Sequence, residues 1–418
     1  MISLDKYSFG FGDRFSLHGE AFLQALKKAN DSGLQITPVW NKSFRGYSFV
    51  GDDAATVKEK VDKLMQNHTW CKQYHIDADH IKYDNVSEFI DSCDYFTIDV
   101  SGYIRKLAHY DEMDSFIKAN QKYIGRMNVP GMSETFQVFE NMITSFAGMY
   151  LLAAQKAGEV YQLIKKRKGH KNFITEISMD EVHYSHSPLE LFFILNALAY
   201  YDVDFQLISP KFIGRFNKNV EYAGDTEKFK AELEMYLKMI NFAIEEFNLN
   251  PDLKLSIHSG SDKFAIYPVI KDVIQKFDAG IHIKTSGIGW LDSIMYLAEL
   301  EGEAYDFVKE IYVTSYEDFS ELVTPYDKVI DINKSKLPSP DEINKLNGKQ
   351  FKAALDNNSG NEDYNPTLRQ FMSCAYKTAA CQKEKYEDLV NANLEMINKQ
   401  IEENLFEKHF SQIYPASN

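Results

Sequence analysis

The stretch Leu253-Lys-Leu-Ser-Ile-His258 is an apolar run that stops in a polar segment, Ser259-Gly-Ser-Asp-Lys263; helical period follows over 264–277, and a second apolar run, Gly280-Ile-His-Ile-Lys284, comes next. A short strand, a helix and another short strand form a parallel β/α unit, because parallel neighbours need a long crossover between them. The same reading extends outward. Apolar runs at Tyr7–Phe11, 35–40, 74–76, 95–100, 173–179 and 205–208 bring the number of predicted strands to eight, and helical period follows most of them, at 20–29, 54–66, 188–200, 226–247 and 290–300.

Eight strand–helix alternations predict an α/β protein with a (β/α)8 TIM barrel as one domain over 1–418. Two segments break the alternation. The first, 111–168, reads as a helical insertion after the fourth strand and is expected to cover the barrel mouth; the second, 303–418, reads as a C-terminal helical extension. An open doubly wound sheet is the competing architecture. It should carry a glycine-rich phosphate turn after its first strand, and Gly10-Phe11-Gly12 lacks the third glycine at the needed spacing.

Composition narrows the class. The chain has 418 residues, 44% of them hydrophobic and 26% charged, which suits a globular protein with a sizeable core. A net charge of −15 argues against nucleic acid and against anionic membrane surfaces, both of which reward clustered positive charge. Four cysteines, Cys71, Cys93, Cys374 and Cys381, have no CxxC spacing and are too few to staple a chain this long. With charged Asp5, Lys6, Asp13 and Arg14 near the start and no apolar stretch of membrane-spanning length, a cytoplasmic protein is expected.

In a barrel of this kind the carboxyl ends of the strands and the loops after them build the site. Those positions hold Asn41 and Lys42, Asp79 and His80, Asp180 and Glu181, Ser259, Ser261 and Lys263, and Lys284. Charge at a strand end is ordinary for any single residue. His258 and His282, however, fall within neighbouring predicted strands, and together with an acidic cluster they match the imidazole and carboxylate ligands of a catalytic divalent ion such as Zn, Mn, Ni or Fe.

Alternation along Thr175-Glu-Ile-Ser-Met-Asp-Glu181 points Asp180 to the same side as Glu176 and Ser178, which makes Asp180 the expected metal ligand and Glu181 the expected proton carrier. Asn41, Lys42, Asp79, His80, Ser259, Ser261 and Lys263 are expected to hold substrate oxygens, and Arg14 and Arg215 are further anion-gripping candidates. Lys284 offers a rival chemistry, a Schiff base on the last strand. No Gly-x-Ser-x-Gly elbow is present.

The segments Pro38-Val-Trp-Asn-Lys-Ser43, Ile76-Asp-Ala-Asp-His-Ile81, Ser178-Met-Asp-Glu181, Lys254-Leu-Ser-Ile-His-Ser-Gly-Ser-Asp-Lys-Phe264, His282-Ile-Lys-Thr-Ser286 with Trp290-Leu291, and Asn365-Pro-Thr-Leu-Arg-Gln370 resemble, in that order, those of the tagaturonate epimerase family. The resemblance implies a metal-dependent barrel enzyme that interconverts tagaturonate and fructuronate by retro-aldol and aldol steps, with His258, His282 and Asp180 in the metal role. The expected partner is a small sugar acid or ketose; a homo-oligomer is left open. Alternatives are a metal-dependent aldolase or sugar isomerase using the same enediolate chemistry, and a non-catalytic sugar-acid binding protein, which would need neither ligands nor a base.

Overall fold

The computed structural model describes residues 2–170, 172–358 and 360–416. Ten strands form: β1 (Tyr7–Phe11), β2 (Thr37–Ser43), β3 (His75–Ile81), β4 (Tyr95–Asp99), β5 (Gly125–Asn128), β6 (Thr135–Val138), β7 (Ile174–Ser178), β8 (Leu207–Ser209), β9 (Lys254–Ile257) and β10 (Ile281–Lys284). Eight of them close a parallel barrel in the order β1-β10-β9-β8-β7-β4-β3-β2, while β5 and β6 pair as a separate antiparallel hairpin. The closed barrel expected from the alternation is therefore the architecture observed.

Strand alternation sorts side chains into two environments. Phe9, Ile76, Phe96, Ile98, Ile177, Ile208, Ile257 and Ile283 belong to the main apolar core shared with the helices, where each large aliphatic or aromatic side chain contributes about 1.5–3 kcal/mol through burial. The barrel interior is graded. Val39, Tyr95, Ile174 and Leu207 form an apolar plug with Leu4 near the strands' amino ends. Above the plug lie Asp77, Thr97, Glu176, His282 and Lys284, all buried. A middle layer of ionisable groups in place of branched aliphatics commits the upper half of this barrel to polar chemistry.

The segment 111–168 does not form the expected lid. Its helix Glu140–Lys168 takes the ordinary position in the helical layer, where Phe146 stacks on Phe193 at 4.9 Å and Tyr150 donates to Glu190 at 2.6 Å. The preceding turn and the β5–β6 hairpin lie on the outer flank. There Tyr123 packs on Phe192 and Phe247 at 5.1 and 6.3 Å, and Lys122 pairs with Glu246 at 2.8 Å.

The mouth is walled instead by the extension, whose Tyr326 and Val329 line it. Docking of that extension is specific: Trp290 donates to the Met372 carbonyl at 2.7 Å and Tyr414 donates to the Ser8 carbonyl at 2.7 Å, while within the extension Tyr326 and Tyr376 join hydroxyls at 2.6 Å. Among the described residues no helix is long and apolar enough to cross a membrane.

Candidate active site at the barrel mouth

Three side chains converge above the polar layer. His80 Nδ1 or Nε2, an Asp180 oxygen and a His258 nitrogen all lie within 4.8 Å of one another. His80 reaches that point by a local irregularity, and Asp180 and His258 reach it from just past the ends of their strands. The register of β3 against β4 shifts between Ala78 and Ile81, and His80 sits in the left-handed region at φ 54°, so the side chain is turned away from its regular strand direction. Asp180 lies just past β7, with its Oδ1 accepting from Ser178 Oγ at 2.8 Å. His258 lies just past β9, where Gly260 lets the chain turn under β10, since a Cβ there would stand 2.5 Å from Ile283 Cγ2.

The arrangement around His258 fits a metal ligand. Its Nε2 lies 2.6 Å from Glu176 Oε1, the carboxylate partner that fixes the tautomer of a ligating imidazole. Its Nδ1 lies 2.9 Å from Asp180 Oδ1, yet this buried nitrogen has no hydrogen-bond partner among the described residues, so the contact lacks hydrogen-bond direction. Two ligand atoms that share an ion approach one another in this way. His80 Nδ1 is likewise buried without a hydrogen bond, and its ring meets that of His258 edge to face at 5.2 Å. Burial opposes charge on His258, but Asp180 and Glu176 outweigh it and lift its pKa to about 10. The field that holds a proton there also attracts a cation.

Lys284 occupies the floor. Its Nζ lies 2.8 Å from Asp77, 3.2 Å from Asp79 and 3.1 Å from Glu176. Burial works against its charge, and the carboxylates of Asp77, Glu176 and Asp79 more than compensate, so its pKa is raised. A Schiff-base nucleophile must shed its proton, which this ring of carboxylates opposes.

Other expected residues divide. Asn41, Asp79, His80, Ser259, Asp180, Glu181, His258 and Lys284 all line the mouth pocket. His282 does not join the converging group: its Nδ1 lies 2.9 Å from Ser8 Oγ, and burial lowers its pKa to about 3. Lys42 is spent in a buried pair with Asp52 at 2.7 Å, which Lys383 of the extension joins at 3.2 Å. Lys263 donates to the carbonyls of Asn217, Val220 and Ser261 at 2.8, 2.5 and 2.9 Å and so pins a loop, while Ser261 Oγ accepts from Asn219 at 3.4 Å. Arg215 is exposed and paired with Asp331.

Sequence reasoning missed Ser43, Lys218, Tyr326 and Val329, which line the pocket together with Thr285 and Ser286. Thr285 and Ser286 carried a signal, by following the last strand.

The family model described as UxaE, tagaturonate epimerase, matches residues 1–413. The tagaturonate/fructuronate epimerase of Thermotoga maritima is 27% identical over 411 residues, covering 92% of this chain and 81% of its own. Crystal structures of the fructuronate-tagaturonate epimerase UxaE from Cohnella laeviribosi share the fold. The complex with one glycerol has a TM-score of 0.67 at 21% identity, and the native form 0.66 at 20%, each covering 97% of this chain and 81% of its own. With the family pattern running along nearly the whole chain and the same barrel beneath it, the chain belongs to the tagaturonate epimerase family, carbohydrate epimerases of the isomerase class.

Proposed function

We propose that this enzyme interconverts tagaturonate and fructuronate by opening and re-forming a carbon–carbon bond, and that His80, Asp180 and His258 hold a divalent metal ion for that reaction. The two acids differ at the carbon β to the ketone, whose hydrogen the ketone does not acidify. Removing and returning that hydrogen is therefore a poor route, and retro-aldol cleavage is a good one. A base takes the proton of the β-hydroxyl, the oxygen's electrons form an aldehyde, and the electrons of the broken bond pass into an enediolate. The aldehyde turns, the bond re-forms on its other face, and the proton returns to the new alkoxide.

Glu181 lines the pocket beside Asp180 and is the group assigned to carry that proton. Lys284, kept as an ammonium by Asp77, Glu176 and Asp79, lies where enediolate charge would develop and stabilises it electrostatically. Held by His80, Asp180 and His258, a divalent ion would supply Lewis-acid polarisation to substrate oxygens. The observation that carries this reading is the approach of His258 Nδ1 to Asp180 Oδ1 at 2.9 Å without a hydrogen bond, backed by Glu176 on the far nitrogen.

The test is NMR of tagaturonate incubated with the enzyme in D2O and added Mn, Ni or Zn. Fructuronate without deuterium at the epimerised carbon is expected. Deuterium at that carbon would contradict the bond-opening route, and unchanged tagaturonate with every metal would remove the proposed substrate.

A further inference from the structure

The cleavage just described leaves two three-carbon pieces in the mouth, an enediolate and an aldehyde that bears the carboxylate. For epimerisation the aldehyde must turn without escaping, so something must hold it by an end that does not react. The carboxylate is that end, and it requires a cation that is not already neutralised.

Arg14 meets the requirement. It lines the same pocket as His80, Asp180 and His258, yet it is only 9% exposed. Among the described residues no carboxylate lies within ion-pair distance of its guanidinium, and its Nε is buried without a hydrogen bond. A buried guanidinium lacking a carboxylate is unfavourable unless a ligand completes it. Nearby acids are committed elsewhere: Asp13 accepts from the Ser16 and His18 amides, Asp52 pairs with Lys42 and Lys383, and Asp79 pairs with Lys284.

The group is also held in place. Its guanidinium stacks over the Tyr376 ring of the extension at 4.4 Å. A flat fork fixed on an aromatic face suits bidentate recognition of a carboxylate. Of the other cations that line the mouth, Lys284 is held by three carboxylates, and Lys218 is engaged by Ser286 at 3.2 Å and by the Tyr326 ring at 5.2 Å.

We propose that Arg14 receives the carboxylate of the substrate and retains the carboxylate-bearing aldehyde while it turns, so that one residue sets both the preference for acid sugars and the loss-free return to a six-carbon product. The retention half rests on the bond-opening route; the binding half does not.

The test compares wild type, Arg14→Met and Arg14→Lys in two measurements. Calorimetry of D-glycerate, with glycerol as the uncharged control, reads the carboxylate grip without any reaction. Arg14→Met is expected to weaken glycerate at least tenfold and leave glycerol within twofold, with Arg14→Lys between, because it keeps charge and loses the fork. Unchanged glycerate affinity in either variant would overturn the proposal, and the lysine variant keeps the test open should the methionine variant fail to fold. Product analysis on tagaturonate then reads retention: Arg14→Met is expected to raise KM at least thirtyfold and to release free three-carbon fragments. Weakened glycerate binding with no fragment release overturns the retention half. If wild type itself forms no epimer, the functional reading fails while the glycerate result still decides what Arg14 binds.

Discussion

Two arginines lie at nearly the same depth, Arg369 at 5% exposure and Arg14 at 9%, and they differ in what surrounds the charge. Arg369 is saturated: it donates to the Asn219 and Leu355 carbonyls at 2.6 Å each and to Asp262 at 2.8 Å, tying the extension to the β9 loop. Arg14 has an aromatic ring and no acid. Lys263, closed off by three carbonyls, and Lys284, held by the carboxylates of Asp77, Asp79 and Glu176, are likewise fully paired, so neither shares the unmatched charge of Arg14. Burial alone does not distinguish a structural charge from a working one; incomplete pairing at a cavity wall does.

The comparison can be broken by stability. Arg369→Met strands Asp262 and two carbonyls, so a loss of roughly 3–5 kcal/mol is expected. Arg14→Met removes a stacked charge that has no acid partner, and a loss of about 1 kcal/mol is expected. Urea unfolding of the two variants beside wild type measures both, and equal losses would contradict the division.

A pH-dependent effect sharpens it. His186 is half paired: its Nδ1 accepts from the Lys211 amide at 2.9 Å, its Nε2 is buried without a hydrogen bond, and burial lowers its pKa to about 4. The folded chain thus leaves this ring unprotonated down to about pH 4, whereas an unfolded chain protonates it near pH 6.5, so stability falls as pH drops through that window. Between pH 7.5 and 5.5 wild type should lose about 1.4 kcal/mol more than His186→Gln. Identical pH dependence in the two proteins would show that the ring takes up its proton as readily in the folded chain as in the unfolded one.

Most of the barrel was legible because its outward faces are apolar and its crossovers helical. β1 matches its predicted bounds, and β4, β7, β9 and β10 fall within a residue or two of theirs. The reading of β3 stopped at Ile76, five residues before its end, because Asp77 and Asp79 point into a polar interior and imitate a strand terminus. That same feature left His80 among the groups expected to hold substrate oxygens and outside the expected His258–Asp180 set. Alternation along a regular strand would turn it outward, and the register shift that redirects it depends on packing against β4 rather than on any local residue signal.

His282 was grouped with His258 because the two strands are neighbours, which they are. The paired residues are nonetheless Ser256 and His282, so His282 sits one layer deeper than His258. The position of 111–168 could not be read from helical period, which gives a helix its apolar stripe but not the surface that covers it.

The convergence of His80, Asp180 and His258 is the point on which the account turns, and metal content measures it directly. Elemental analysis of the purified protein beside His80→Ala, His258→Ala and His282→Ala should find a divalent ion in wild type and in His282→Ala, and its loss in the other two. Metal retained in His80→Ala, or lost in His282→Ala alone, would contradict the assigned site.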